Sequence, residues 1–228
     1  MAKRKNVPDY EISDEFWNKI KSLLPLPKPK KKAGRPRADD RKIMNGIFYL
    51  LRTGCQWKAL PRCYGAPSTV HDRFQEWQRA GLFEKMWQAG LLEYDNEKGL
   101  EWEWQAIDGA NRHDKMLVKG TLDAIIIERP SHKVTQNMCM DKGYDFPDIR
   151  ELVGNYGYTA HIRRRGEENI RRDIPGYRAR RWVVERTHSW LNRFRRLLIR
   201  WEKKIENYLA MLHFACAWIS FRATGLFG

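Results

Sequence analysis

Apolar residues recur at helical spacing through the first 92 residues and predict a run of helices. Ser, Thr and Asp residues stand where such helices should start, because their side chains cap exposed backbone N–H groups. The starts predicted in this way are Ser13, Asp39 or Asp40, and Ser68 or Thr69, and a further helix is predicted from Leu82. The predicted ends are Pro25, Gly54, Gly81 and Leu92. The pattern therefore favours a helical bundle at the start of the chain.

The two middle helices are joined by a bent, Trp-containing connection. The second of them leaves His71, Arg73, Gln75 and Arg79 on its polar side. This arrangement resembles a helix-turn-helix DNA reader with a loose spacing. A small helical bundle with an ordinary polar face gives the same pattern, so both interpretations stay open.

Strand-like patterns appear after residue 100. Apolar and polar residues alternate from Glu101 to Asp108, and a second strand over Gln136–Met140 is followed by Asp141. A helix over 147–153 and a strand over 158–162 follow, while residues 114–127 are predicted to be helical. An acid at a strand end is also an ordinary turn residue, so the two aspartates alone indicate no chemistry.

The stretch from Tyr177 to Lys204 predicts one long amphipathic helix. Its apolar stripe contains Val183, Trp190, Phe194, Leu197 and Trp201. Glu185 lies off that stripe, on a polar side with Arg181, Asn192, Arg193, Arg196 and Arg200. One carboxylate among guanidinium groups suits a metal held against a phosphodiester, but spacing alone favours a solvent-exposed Glu paired with Arg. A closing helix over 205–221 is expected to pack on the sheet.

Charge points to an anionic partner. The 228 residues carry a formal net charge of +15 and a pI near 9.8, which together with many aromatic residues favours nucleic acid. The basic arm, residues 28–42, is either a solvated linker or a DNA-contacting segment. Its candidate contacts are Lys30, Lys31, Lys32, Arg35 and Arg37.

The remaining patterns place the chain in the cytoplasm. Cys55, Cys63, Cys139 and Cys216 have no zinc-like spacing and are interpreted as reduced thiols. No signal peptide or membrane span is predicted, because the longest apolar run, over 208–221, is short and contains His213.

The stretch R-W-V-V-E-R-T-H-S-W-L-N-R-F-R-R-L, residues 181–197, resembles the C-terminal catalytic motif of DDE transposases of bacterial insertion sequences, in the insertion sequence five group. The resemblance implies that Glu185 is the third catalytic acid. D-K-G-Y-D resembles the second acidic motif and implies Asp141, and in the family the position of Asp108 carries the first catalytic acid. The family spacing is partly kept: Tyr177 is one position early, and Asn192 replaces a lysine, which transfers the basic role to Arg193.

The same resemblance implies the fold and domain organisation. Residues 13–92 are similar to the helical domain that precedes the catalytic core, so 1–95 is expected to bind DNA and 100–228 to form an RNase H-like core. The expected class is α+β or mixed. Residues 109–140 leave no room for a hairpin, so the core is predicted to lack about two strands, with an internal deletion between Asp108 and Asp141. In this fold the first strand pairs directly with the strand that carries the second acid.

For chemistry, the resemblance implies that Asp108, Asp141 and Glu185 bind two Mg²⁺ (or Mn²⁺) ions for in-line phosphoryl transfer. Arginines would hold phosphates, and two histidines, His113 and His188, are candidates for proton transfer, although a packing or phosphate contact is the favoured role for each. These arginines are Arg181, Arg186, Arg193 and Arg196. The implied partners are double-stranded element ends and target DNA, bound by a homo-oligomer at the nucleoid.

Two other functions remain open at this stage. A catalytically defective remnant would bind DNA and inhibit an intact transposase. A simple repressor would leave the D-K-G-Y-D and R-W-V-V-E-R stretches unexplained.

Overall fold

A computed structural model describes residues 10–27, 36–100, 102–107, 117–128, 136–162 and 181–225, with residues 181–185 described for their backbone alone. The chain divides into two compact units. The first combines residues 1–98 with residues 190–228, and the second contains residues 99–189. We call them the helical unit and the sheet unit.

The helical unit is built from helices at both ends of the chain. Its helices are α1 (Asp14–Ile20), α2 (Asp40–Thr53), α3 (Pro67–Arg79), α4 (Leu82–Lys98), α8 (Arg195–Ile199) and α9 (Ile205–Ala223). Short 3₁₀ turns at Lys21–Leu23, Trp57–Ala59 and Arg62–Tyr64 join them. The predicted helices of residues 13–92 are thereby confirmed, and α4 extends six residues past the predicted end.

Local capping explains where these helices start and stop. The Ser13 hydroxyl accepts the N–H of Phe16 at 3.2 Å, and the Asp39 carboxylate accepts the N–H of Lys42 at 2.7 Å. Gly54 ends α2 with φ 70°, a conformation that glycine adopts without a Cβ clash. The predicted start of α3 at Ser68 or Thr69 is wrong. The helix begins at Pro67, whose fixed φ and missing N–H suit the first helical turn.

The core of the helical unit is aromatic and includes the C-terminal helix. Phe16, Phe48, Phe83 and Phe214 are each at most 1% exposed, and the rings of the first three each lie within 6.3 Å of the Phe214 ring. α9 lies along α4, where a Cβ at Gly90 would meet Phe221 at 3.0 Å. The expectation that the closing helix packs on the sheet is therefore wrong. Apolar residues occur around most of this helix, so the sequence offers no single apolar stripe that identifies its partner.

The predicted continuous helix over 177–204 is also wrong in part. α7 (Arg181–Leu191) ends in a turn in which the N–H of Phe194 bonds the carbonyl of Leu191 at 2.9 Å. α8 then runs for five residues and stops at Arg200, where φ is 45°. The turn allows Phe194 and Leu197 to be buried, while Trp201, from the same predicted stripe, is 44% exposed.

The sheet unit holds a small parallel sheet. β1 (Trp104–Ala106), β2 (Asn137–Met140) and β3 (Thr159–Ile162) lie in the order β1-β2-β3, and α6 (Pro147–Asn155) connects β2 to β3. Helix α5 (Val118–Asp123) is shorter than the helix predicted over 114–127. Met138, Ile149, Val153 and Tyr158 are among the buried residues between sheet and helices. The architecture is mixed α and β and mostly helical.

The strand pairing matches the sequence-based expectation that the first strand lies directly beside the strand preceding Asp141. Residues 108–116 and 129–135 lie outside the described residues. The proposed loss of two strands therefore stays a prediction.

All four cysteines are free thiols, and burial raises the pKa of Cys216 to about 12.

Within the described ranges, every helix is too short or too polar to cross a bilayer.

Candidate functional site

Asp141 lies at the carboxyl end of β2. It is exposed and caps the 3₁₀ turn Lys142–Tyr144, with one carboxylate oxygen accepting the N–H of Lys142 at 2.6 Å. The main chain leaves an extended strand here and turns sharply, so the side chain is held at the strand end. An exposed carboxylate at this position offers the hard oxygen ligand that Mg²⁺ prefers.

Strand register relates Asp141 to the end of β1. The pairs are Trp104 with Asn137, Gln105 with Met138, and Ala106 with Cys139, a constant separation of 33 positions. The N–H of Ile107 also donates to the carbonyl of Cys139 at 3.0 Å. Asp108 itself lies outside the described residues. In the sequence it precedes Asp141 by the same 33 positions as these three pairs.

The third predicted acid, Glu185, lies in the first half of α7. Its side chain and that of Arg181 lie outside what the structure describes, as do Tyr177 and His113 entirely. Among residues whose side chains are described, no three His, Cys, Asp or Glu side chains form a metal-sized cluster. The structure thus describes one of the three predicted ligands in full and leaves their mutual geometry a prediction.

The basic arm is described only at its C-terminal end. Lys30, Lys31, Lys32 and Arg35 lie outside the described residues. Arg37 contacts two carboxylates: its Nη2 lies 3.2 Å from Glu76 Oε1 and its Nε lies 3.6 Å from Asp40 Oδ1. This pairing ties the arm to α2 and α3 where it enters the helical unit.

The polar side of α3 divides into packed and exposed residues. Arg73 is 7% exposed and paired with Asp40 and Glu76, and burial lowers its pKa. Gln75 donates to Asn207 of α9 at 2.9 Å, and the ring of His71 lies 4.8 Å from that of Trp57. Arg79 is exposed. Arg73 therefore contributes to the packing of the helices, which periodicity alone did not indicate.

The basic residues after Glu185 also divide into exposed and buried ones. Arg186, His188 and Arg193 are exposed, whereas Arg196 is only 2% exposed. The predicted exposed polar face is thus corrected at Arg196. Its guanidinium donates to Glu202 and to the carbonyl of Cys55, because the turn before α8 directs it inward. A phosphate has no access to a guanidinium enclosed in this way.

A cleft in the helical unit was not predicted from the sequence. It is lined mainly by arginine and aromatic side chains and has a volume of about 300 Å³. The principal lining residues are Arg52, Trp190, Arg193, Phe194, Trp218 and Arg222. We call it the arginine–tryptophan cleft. Its sequence signal is the mixture of Trp, Phe and Arg in SWLNRFRR and WISFRA, but these segments become neighbours only through folding.

Comparisons with known proteins agree on one family. A family model described as "Putative transposase of IS4/5 family" matches residues 12–87, and a model described as "Transposase DDE domain" matches residues 138–222. The first match runs from α1 into the first turns of α4. The second includes Asp141, Glu185 and all but the last residue of α9.

Three curated relatives are similar over part of the chain. An uncharacterized 16.2 kDa protein of insertion element IS402 from Burkholderia cepacia is 33% identical over 44% of this chain and 71% of its own length. The putative transposase of IS402 is 34% identical over 50% of this chain and 54% of its own length. The uncharacterized protein y4sN of Sinorhizobium fredii is 29% identical over 40% of this chain and 68% of its own length. The chain thus spans about half the length of the IS402 transposase. No solved structure matches the chain significantly.

Proposed function

Because the chain belongs to the IS4/5 family of insertion-sequence transposases, we propose that it binds the ends of its element and catalyses metal-dependent cleavage and strand transfer of DNA. The proposal assigns recognition of double-stranded DNA to the helical unit and chemistry to Asp108, Asp141 and Glu185. The protein would act as a homo-oligomer in the bacterial cytoplasm, on the nucleoid.

The observation that carries the proposal is the parallel pairing of β1 with β2. Asp141 directly follows β2, and Asp108 follows β1 at the same 33-position separation that defines the register. Since the carboxyl ends of parallel strands meet at one edge of a sheet, this register supports a pair of neighbouring carboxylates. A shift of one residue would send one side chain to the opposite face.

The described part of the site fits a divalent cation. Asp141 is exposed and supplies a carboxylate oxygen, and the other two proposed ligands are also carboxylates, the donors that Mg²⁺ and Mn²⁺ accept. When bound, such ions would activate a water molecule or a 3′-hydroxyl of the DNA for attack and would neutralise charge on the leaving oxygen. The chain's own contribution is to hold the acids at the sheet edge and phosphates on exposed arginines.

The proposed DNA contacts include basic residues whose side chains are exposed, namely Arg79, Arg186 and Arg193. Further contacts are proposed from the sequence alone: Lys30, Lys31, Lys32 and Arg35 of the basic arm, and Arg181 of α7. Such contacts neutralise phosphates and release counterions, so binding should weaken steeply with salt. His71 and Gln75 are half-buried at the edge of α3 and are proposed as secondary contacts.

A defective DNA-binding remnant is the second candidate. The short segment 109–140 favours it, because the described sheet has three strands and this segment has little room for more. Such a chain would keep the helical unit and bind DNA without cutting it.

Cleavage of labelled DNA carrying the element's terminal repeats separates the two candidates. Wild type, Glu185→Gln and Asp141→Asn are compared with Glu151→Gln, an exposed acid of α6 outside the proposed site. The transposase proposal expects cleavage that requires Mg²⁺ or Mn²⁺, survives in Glu151→Gln and disappears in the other two variants. DNA binding without cleavage in wild type would identify a remnant. Cleavage that persists in Glu185→Gln would contradict the assignment of the acids.

A further inference from the structure

The arginine–tryptophan cleft combines two kinds of recognition surface. Trp190, Phe194 and Trp218 supply aromatic rings, and Arg52, Arg193 and Arg222 supply three guanidinium groups. None of the residues lining this cleft, in the part of the chain that is described, is acidic. The cleft is thus both strongly cationic and aromatic, a combination suited to a ligand that joins a planar ring to an anionic group.

The walls of the cleft are already in place without a ligand. The ring of Trp218 lies 4.6 Å from that of Phe48 and 5.2 Å from that of Phe16, so the hydrophobic core fixes it. Phe194 is 2% exposed, and the Arg52 guanidinium lies 5.3 Å from the centre of its ring. A preformed wall reduces the entropy lost when a ligand binds.

The turn after α7 places a ring beside a charge. The N–H of Arg193 bonds the carbonyl of Trp190 at 3.3 Å, and this tight turn lets both side chains line the same cleft. Arg193 and Arg222 are exposed at the cleft and form no ion pair with any carboxylate of the described residues. Both guanidiniums are accordingly available to an incoming anion.

Size limits what the cleft admits. Its volume of about 300 Å³ lies at the lower end of the roughly 300–1,000 Å³ of small-ligand sites. A base pair inside a duplex offers edges and phosphates but no open ring face, whereas an unpaired base offers both faces for stacking. Phosphate is one of the anions that an arginine guanidinium binds through two parallel hydrogen bonds, and it is the anion that a nucleotide carries.

We propose that the arginine–tryptophan cleft binds one unpaired, phosphorylated nucleotide of the DNA substrate, with the base against Trp190 and Trp218 and the phosphate on Arg193 and Arg222. The identity of the ligand as DNA rests on the proposed function. The cleft would make the protein prefer DNA ends with an unpaired nucleotide over blunt ends.

The test uses fluorescence anisotropy of the full chain at fixed salt, without divalent metal, with matched labelled duplexes. One is blunt, one ends in a 5′-phosphorylated single-nucleotide overhang, one carries the same overhang without phosphate, and one carries an abasic phosphorylated overhang. Base stacking on aromatic side chains predicts that wild type prefers the normal overhang to the abasic one by roughly 5- to 100-fold. Trp190→Ala should remove this preference, and Trp190→Phe should keep most of it.

Arg193→Gln tests the phosphate contact. It should reduce the preference for the phosphorylated overhang over the unphosphorylated one, while Arg195→Gln, an exposed arginine outside the cleft, should leave that preference intact. Trp201→Ala, an exposed tryptophan outside the cleft, serves as the aromatic control. Thermal melting of each variant verifies folding.

Two outcomes overturn the proposal in different ways. Equal affinity of wild type for blunt, abasic and normal overhangs would overturn the nucleotide site and leave duplex binding, and hence the proposed function, standing. Failure to bind any of the DNAs would overturn both.

Discussion

Arg196 and Glu202 form a buried ion pair across the bend between α8 and α9. The Arg196 Nε lies 2.7 Å from Glu202 Oε1, and the two side chains are 1% and 7% exposed. Arg196 also donates to the carbonyl of Cys55, and its guanidinium lies 5.2 Å from the ring centre of Trp57. One arginine thereby joins α8, the connection after α2 and the segment that precedes the C-terminal helix.

We expect Arg196→Met to destabilise the helical unit by about 3–5 kcal/mol, because it leaves the Glu202 carboxylate buried without its partner. Urea unfolding followed by circular dichroism measures this change. Arg195→Met, one residue earlier and exposed, should change the free energy of unfolding by less than about 0.5 kcal/mol.

The same variants distinguish a packing role from a DNA contact. If Arg196→Met weakened DNA binding while its unfolding curve stayed like that of wild type, the guanidinium would have to reach phosphate, contrary to its burial.

Gly90 sets the distance between α4 and α9. We expect Gly90→Val to cost about 1–3 kcal/mol, because the added side chain would overlap Ser220 and Phe221, which lie 3.1 and 3.0 Å from an ideal Cβ. Gln88→Val is the control, since it introduces the same β-branched residue at an exposed position of α4. Equal unfolding midpoints for the two variants would contradict the close helix contact.

The N-terminal helices were predictable because their signals are local. Ser13, Asp39 and Gly54 each satisfy or terminate backbone hydrogen bonds within one turn, so the sequence alone locates these ends. The strands preceding Asp108 and Asp141 were recognisable by alternation and by resemblance to the family. Their direct pairing then agreed with the expected topology.

The sequence-based predictions for Arg196 and α9 were wrong. Arg196 was counted as polar surface, since periodicity assigns an arginine to solvent and does not register a carboxylate six positions later. α9 was assigned to the sheet because its apolar residues surround much of the helix, and only Gly90 and the aromatic residues of the core identify its partner. The cleft was not predicted because its lining residues come from α2, from the turn that follows α7, and from α9. These segments are too far apart in the sequence for one motif to include them.

His213 makes the stability of the helical unit dependent on pH. Its ring stacks on Trp87 at 5.3 Å, and burial lowers its pKa below the ordinary value of 6.5, opposed by the negative charge of Glu84. The unfolded chain therefore takes up a proton at a higher pH than the folded chain. The contribution of His213 is full above pH 6.5 and is lost as the pH falls from 6.5 towards the folded pKa.

We expect His213→Gln to reduce the loss of unfolding free energy between a pH above 6.5 and one below it. Urea titrations of wild type and variant at the two pH values measure the difference. An identical pH dependence in both proteins would show that other groups cause the acid sensitivity.

Arg73 and Arg79 both lie on α3, but their substitution should affect different properties of the protein, stability for Arg73 and DNA binding for Arg79. Arg79 is exposed, so Arg79→Gln should leave the unfolding curve unchanged, weaken DNA binding and lower the slope of log affinity against log salt by about one. Arg73 is 7% exposed and paired with Asp40 and Glu76, so Arg73→Gln should lower the unfolding midpoint instead. Anisotropy titrations over a range of salt, with urea curves for both variants, test this. If Arg73→Gln alone changed the salt slope, the DNA-facing side of α3 would be the opposite of the one proposed.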